Sequence, residues 1–367
     1  MKNWEKNIRK VVPYTPGEQP KKSQIIKLNT NENPYPPAPG VKEALEHFHT
    51  DDLRLYPDPV VTNLVDGIAQ FYQVDPSQVF VGVGSDDVLA MLFMTFFNSK
   101  KPILFPDITY SFYDVWAEML RIPYETKALD EDFLIKKEDY YGENGGVIFP
   151  NPNAPTGILM PLSEIEDIIA HNRDVIVVVD EAYIDFGGES ALPLIEKYDN
   201  LLVVQTFSKS RSLAGMRIGY VMGNEKLIRY LNDVKYSFNS YTMNQTALIL
   251  GAEAVKDRAY FEETCRKVIE TREWTKKDLH KIIQTRERVK LRLTELGFTF
   301  RDSKSNFIFA KHASVPAEDI FEALKKEDIY VRHFSKERIS NYLRISIGTK
   351  EEMQTMIGFL QNFLAEG

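Results

Sequence analysis

From about residue 63 the chain falls into short apolar runs separated by stretches of helical spacing. Seven runs predict strands: 79–83, 102–105, 123–127, 146–149, 175–179, 201–205 and 217–222. Helical spacing over 87–97, 111–120 and 163–171 falls between them, the last opening on Ser163 with Glu166 three residues on, a capping-box pattern. The run 175–179 is five β-branched apolar residues in a row, which requires burial on both faces and marks a central parallel strand. Strands alternating with helices predict an α/β fold with a mainly parallel seven-stranded sheet.

The two ends read differently. Residues 1–25 are polar and interrupted by Pro13, Pro16 and Pro20, so they form an arm. Residues 28–37 are rich in turn formers, and 40–48 is helical. The long charged stretch 260–296 carries no strand signal and connects helically into a smaller α+β domain. That domain has strands at 307–310, 330–332 and 343–347 and helices at 317–326 and 350–364. The expected organisation is an arm (1–25), part of the small domain (26–49), the large domain (50–259) and the rest of the small domain (260–367).

Composition narrows the options. A formal charge of −8 without long Lys/Arg blocks argues against a nucleic-acid binder. Cys265 is the single cysteine, so neither an internal disulfide nor a cysteine zinc cage can form, and no metal site is expected. There is no secretory signal pattern at the start and no apolar run of about 18 residues. A cytoplasmic, reducing location and no membrane partner are expected.

In open α/β sheets ligands sit at the carboxyl ends of strands. After 79–83 come Gly84, Ser85 and Asp86 opening a helix, which offers N–H groups to a phosphate or is simply a Ser/Asp cap. After 146–149 comes a rigid polar turn with Asn153, Ala154 and Thr156. After 175–179 comes Asp180, an acid costly to bury without a cation, then Tyr183. After 201–205 come Ser208 and Lys209, and eight residues later Arg217. Each has a structural explanation alone. Together they match what pyridoxal 5'-phosphate needs: a lysine for the Schiff base, an acid beside the ring nitrogen and a phosphate cup.

Over nearly its full length the sequence resembles the fold type I aminotransferases, and within them the histidinol-phosphate aminotransferase family. The match is carried by residues 28–34 (LNTNENP), Tyr56-Pro57-Asp58, Gly84-Ser85-Asp86-Asp87, 151–157 (NPNAPTG), 180–183 (DEAY), Ser208-Lys209, 214–217 (AGMR) and Leu343-Arg344-Ile345. The resemblance implies an aspartate aminotransferase-like large domain that binds the cofactor, and transfer of an amino group from L-glutamate to imidazole-acetol phosphate in histidine biosynthesis. It implies Lys209 as the Schiff-base lysine, Asp180 on the pyridine nitrogen and Tyr183 on the ring oxygen. Tyr110 would stack on the ring. Ser208, Arg217 and the N–H groups of Ser85 and Asp86 would hold the phosphate. Tyr56 would reach the phosphate of a neighbouring subunit in a homodimer with shared sites. Arg344 and Arg332 would bind the anionic group of L-glutamate or histidinol phosphate, with Asn33 and Tyr14 completing the substrate side. The family usually has Asn where this chain has Ala154, so Tyr183 alone, Asn153 or a water would serve the ring oxygen. An aromatic amino acid aminotransferase, a threonine-phosphate decarboxylase, or a cofactor-binding regulatory module with an added DNA-binding segment would use the same scaffold. No such DNA-binding segment is visible.

Overall fold

The computed structural model describes residues 2–22, 24–278 and 297–365. The N-terminal part contributes β1 (Ile26–Lys27), α1 (Pro39–Glu46) and α2 (Thr62–Tyr72). Next comes an alternating series: β2 (Val79–Gly82), α3 (Gly84–Phe96), β3 (Ile103–Pro106), α4 (Tyr113–Leu120), β4 (Tyr124–Lys127), β5 (Val147–Pro150), α5 (Leu162–His171), β6 (Val177–Asp180), β7 (Leu201–Thr206) and β8 (Gly219–Gly223). Three helices follow, α6 (Glu225–Phe238), α7 (Gln245–Lys256) and α8 (Arg258–Asp278). The last part holds β9 (Phe298–Phe300), β10 (Phe307–His312), α9 (Ala317–Lys326), β11 (Ile329–Tyr330), β12 (Arg332–His333), β13 (Leu343–Ser346) and α10 (Lys350–Ala365).

The large sheet has seven strands in the order β2-β8-β7-β6-β5-β3-β4, and only β8 runs against its neighbours. Every residue of β5, β6 and β7 is buried. Their side chains alternate between two apolar layers, as strand geometry requires. Val147, Phe149, Val177, Val179, Leu201 and Val203 pack with α2, α5 and α7. Ile148, Val178, Leu202 and Val204 pack with α3, α4 and α6. Each such side chain, fully buried, contributes roughly 1.5–3 kcal/mol.

The second sheet is antiparallel, in the order β12-β13-β10-β9, and packs on α8, α9 and α10 through Val268, Ile308, Ile320, Ile345, Met353 and Leu360. The run expected at 330–332 proves to be two strands. Ile329 and Tyr330 pair in parallel with β1, whereas Arg332 and His333 pair with β13. Residues 26–27 are thereby stitched to the C-terminal part of the chain.

Other differences have local causes. Ser163 does not cap α5, which begins one residue earlier after Pro161 and has no side-chain cap. Burial of Ile165, Ile168 and Ile169 sets the phase of that helix, and this leaves Ser163 inside its first turn. The helices α2, α6 and α7 and the strand β9 were not anticipated, although Leu227, Ile228 and Leu231 give α6 a buried face at helical spacing. Of the helix expected over 260–296, the part from 279 onward lies outside the described residues.

The end of β2 is joined to α3 through Gly84, whose φ of 84° favours glycine. Beneath this joint lies Gly219 of β8, where a Cβ would stand 2.2 Å from the Gly84 carbonyl carbon and from the Ser85 nitrogen. Both contacts are backbone, so neither can swing aside. Gly219→Ala should therefore destabilise the protein by about 1–3 kcal/mol through overpacking. A thermal or denaturant unfolding midpoint unchanged from the parent would show that the joint yields.

Candidate active site

Four strand ends and the start of α3 converge on a cavity of about 170 Å³. Its walls carry Ser85 and Asp86 from α3, Tyr110 from the segment after β3, Pro150 from β5, and Asp180 and Tyr183 from β6 and its exit. Thr206, Ser208, Lys209, Ala214 and Arg217 line it from the β7–β8 connection, and Thr30 and Glu32 from the N-terminal part.

The Lys209 amine donates to the Thr30 carbonyl at 3.0 Å and lies 5.7 Å from the centre of the Tyr183 ring. The Tyr183 hydroxyl accepts from the Asn31 amide at 3.0 Å, and its ring meets Phe307 edge-on. Asn31 is held in turn by Ser346 and by the Asn306 amide, which donates to its carbonyl.

Asp180 ends β6 on the face that packs against α4. There the buried Tyr113 hydroxyl donates to its carboxylate at 2.8 Å, and the Ala182 N–H donates at 3.3 Å. Burial nevertheless pushes the Asp180 carboxyl up to about 6, with the Asp86 charge adding to the rise. Its neighbour Glu181 faces the opposite way, where Ser190, the Ala191 N–H and Gln205 donate to it. Burial raises that carboxyl too, to about 7.

The anion cup lies between α3 and Arg217. The Arg217 guanidinium reaches Asp86 at 3.1 Å, the Ser208 hydroxyl at 3.4 Å and the Ala214 carbonyl at 3.3 Å. Tyr110 also donates to Asp86, at 2.5 Å. A Cβ on Gly84 would stand 2.5 Å from the Arg217 guanidinium, so a side chain there would displace that group.

Not every expected residue faces this cavity. The Asn153 amide donates to the Ile108 carbonyl at 3.0 Å and to Thr156, and the side chain lines a separate cavity behind the turn. The wall at this point is Ala154, and Asn153 is not among the residues lining this cavity. Asn33 is also committed elsewhere: its amide donates to the Lys209 and Ser210 carbonyls, and its oxygen accepts from the Tyr35 N–H. It braces the backbone of the lysine. Tyr56 is 82% exposed and stands against Tyr241, away from the cavity of its own chain.

Tyr14 and Arg332 line a larger adjoining cavity of about 790 Å³ that shares Tyr110 with the first. Tyr14 stacks on Phe112 at 4.2 Å. Arg344 lies directly opposite Arg332 across the β12–β13 pair. It donates to the Asn29 carbonyl at 3.0 Å, while its Nε has no partner. Burial, and then the charge of Arg332, holds the Arg344 guanidinium below its ordinary range.

Tyr113, Thr30, Asn31 and Glu32 were not singled out as site residues from sequence. Tyr113 stands one helical turn beyond Tyr110, which is the one signal that could have found it.

An amine, a buried acid and an anion cup on one small cavity suit a phosphorylated cofactor with a carbonyl and a basic ring nitrogen. Comparison with known proteins agrees. A family model for class I and II aminotransferases matches residues 23–360, and the chain belongs to that family. Within it the chain stands among the histidinol-phosphate aminotransferases. It is 51% identical over 350 residues to the enzyme of that name from Brachyspira hyodysenteriae, covering 95% of each chain. It is 50% identical over 363 residues to the one from Clostridium botulinum, covering 99% of each. The fold matches the solved histidinol-phosphate aminotransferase of Clostridium acetobutylicum with a TM-score of 0.82 at 20% identity, over 94% of this chain and all of that one. The Sinorhizobium meliloti enzyme, solved in complex with pyridoxal-5'-phosphate, gives 0.80 at 21% identity, over 93% and 91%.

The raised Asp180 carboxyl makes stability depend on pH. The unfolded chain releases this proton near its ordinary 3.8 and the folded, cofactor-free chain near 6. Between those values the folded state holds the extra proton, so stability falls as pH rises through the window. Asp180→Asn cannot ionise. It should exceed the cofactor-free parent in stability by about 2 kcal/mol near pH 7.5 and match it near pH 4. Parallel thermal unfolding curves for parent and variant across this range would contradict the assignment.

Proposed function

We propose that this chain is a pyridoxal 5'-phosphate-dependent transaminase that moves an amino group from L-glutamate to imidazole-acetol phosphate, forming L-histidinol phosphate in histidine biosynthesis. The observation that carries the substrate assignment is the Arg332–Arg344 pair. Arg332 and Arg344 are register partners across β12 and β13, and among the described residues neither is ion-paired with a carboxylate, Arg344 donating only to the Asn29 carbonyl with its Nε unpartnered. Like charges directly opposed on a sheet are unfavourable. An anion from outside the chain relieves the pair. A guanidinium fork suits both the carboxylate of glutamate and the phosphate of the second substrate.

When bound, the cofactor supplies a carbonyl for imine formation and a ring that accepts electrons. The protein supplies the rest. Ser85, Ser208 and Arg217 would hold the phosphate. Asp180 would hold a proton on the ring nitrogen, and Tyr113 would keep that carboxylate aimed. Tyr183 would donate to the ring oxygen without help from Ala154. Lys209, when its amine is free, would take the proton from the substrate α-carbon, with the Thr30 carbonyl orienting it.

The working unit in this proposal is a homodimer with shared sites. Tyr56, Val60, Phe238 and Tyr241 are large apolar side chains left exposed, at 82%, 58%, 68% and 45%. Tyr56 packs on Tyr241, and Lys235 and Tyr236 of α6 donate to the Pro59 carbonyl, so this surface is one structured patch. Such a patch suits a subunit interface, and a two-fold contact would carry Tyr56 toward its partner's phosphate cup. Among the described residues no helix is long and apolar enough to cross a membrane, and no group of His, Cys, Asp or Glu is gathered to hold a metal. A cytoplasmic location belongs to the same proposal.

Two experiments test this reading. Arg344→Leu should impair both half-reactions, and Arg332→Leu should impair the phosphorylated substrate more than glutamate. A lost contact to a desolvated charge costs about 2–5 kcal/mol, or roughly 30-fold and upward in kcat/KM. Equal losses on both substrates in Arg332→Leu would remove it as a phosphate contact. For the dimer, inactive Tyr56→Ala and Lys209→Ala subunits should recover activity when mixed, because each hybrid holds one intact site. Verified heterodimers without activity would exclude sharing through Tyr56.

A further inference from the structure

The acids lining the small cavity differ in what faces them. Asp86 is occupied by Arg217 and Tyr110, and Asp180 by Tyr113 and the Ala182 N–H. The third acid, Glu32, sits on the same cavity as Lys209 but on the N-terminal wall. Its carboxylate accepts from the Thr30 hydroxyl and from the Lys27 ammonium. Thr30 is also the residue whose carbonyl accepts from the Lys209 amine at 3.0 Å. One residue thus presents its hydroxyl to Glu32 and its carbonyl to the lysine. The turn between them is locked from the other side by the Asn306 amide on the Asn31 carbonyl.

We propose that Glu32 is a positioning residue for Lys209: it fixes the Thr30 carbonyl on the lysine nitrogen, and its charge favours the protonated form of that nitrogen. Burial opposes a charge on Glu32. The hydrogen bonds from Lys27 and Thr30, then the charge of Lys27 and last that of Lys209, outweigh it and hold the carboxyl below its ordinary range. Glu32 is therefore an anion at neutral pH. Other groups on the cavity walls are Asp86 and Arg217, which pair with each other, Asp180, and the hydroxyls of Tyr110 and Tyr183. Lys27 belongs to β1, which pairs with β11, so the device also ties the lysine to the C-terminal part of the chain.

This inference rests on Lys209 as the cofactor's attachment point, and its test keeps the two apart. The visible absorbance of the cofactor-loaded enzyme is titrated with pH in the parent, E32Q, E32D and K27M. The midpoint at which the Lys209 nitrogen loses its proton should fall by roughly 0.5–1 pH unit in E32Q, since one nearby negative charge is lost. E32D keeps the charge and should stay nearer the parent than E32Q. K27M removes the counter-ion of Glu32 and should move the midpoint upward. Loss of packing alone would not produce opposite signs in E32Q and K27M. A parental midpoint in E32Q, shifts of one sign in E32Q and K27M, or E32D behaving as E32Q would overturn the proposal while leaving the lysine assignment intact. Should E32Q fail to fold, K27M decides alone, an upward shift supporting the proposal and any other result overturning it. If the loaded parent shows no visible band, the cofactor reading falls and this inference falls with it.

Discussion

Burial of β5, β6 and β7 on both faces is the constraint from which the rest of the molecule follows. Such strands can carry polar groups only where they end, because a polar side chain in their middle would enter one of two dry layers. Asp180, Thr206, Ser208 and Lys209 stand at that edge. The same burial makes Asp180 expensive to ionise, which is why Tyr113 is set beneath it and why its carboxyl is raised. An acid in that state has strong reason to meet a basic ring nitrogen.

Residues 28–33 are the seam between the two sheets. Leu28 is buried with the C-terminal layer, and its carbonyl accepts from Ser346 of β13. Asn29 accepts from Arg344, Asn31 bonds Tyr183 and Ser346, and Asn33 bonds the backbone of Lys209. Short polar side chains suit this place because each can satisfy backbone groups in a turn that neither sheet can pair. The lysine, the tyrosine beside it and Arg344 are therefore held by one strip of chain. A shift of the small sheet would be felt at all three.

Much of the fold was legible in the sequence, for reasons that can be traced to particular residues. The run Val175–Val179 could only be a strand covered on both sides, and the alternation of such runs with helices required a parallel sheet. Asp180 stood out because a charged residue directly after an apolar strand needs a reason to be there, and Lys209 and Arg217 because they lie in the connection between the next two apolar runs. Less was legible where a side chain's partner is distant in sequence. The division of 329–333 between two sheets depends on β1, some 300 residues earlier, and nothing in the local pattern marks it.

By itself, then, the sequence determined the layers, the strand edge at which chemistry is possible, and the set of residue types gathered there. These follow from periodicity and from the cost of burying charge, which act within a few neighbouring residues. Only the tertiary structure decided which way each polar side chain turned. Asn153 and Asn33 carry the chemistry expected of ligand contacts, yet in the fold their amides donate to nearby carbonyls, because a buried donor needs an acceptor and the tertiary structure decides which one is within reach. Tyr113 and Glu32, plain in the sequence, came to face Asp180 and the lysine's cavity only because helix packing and a folded-back turn brought them there.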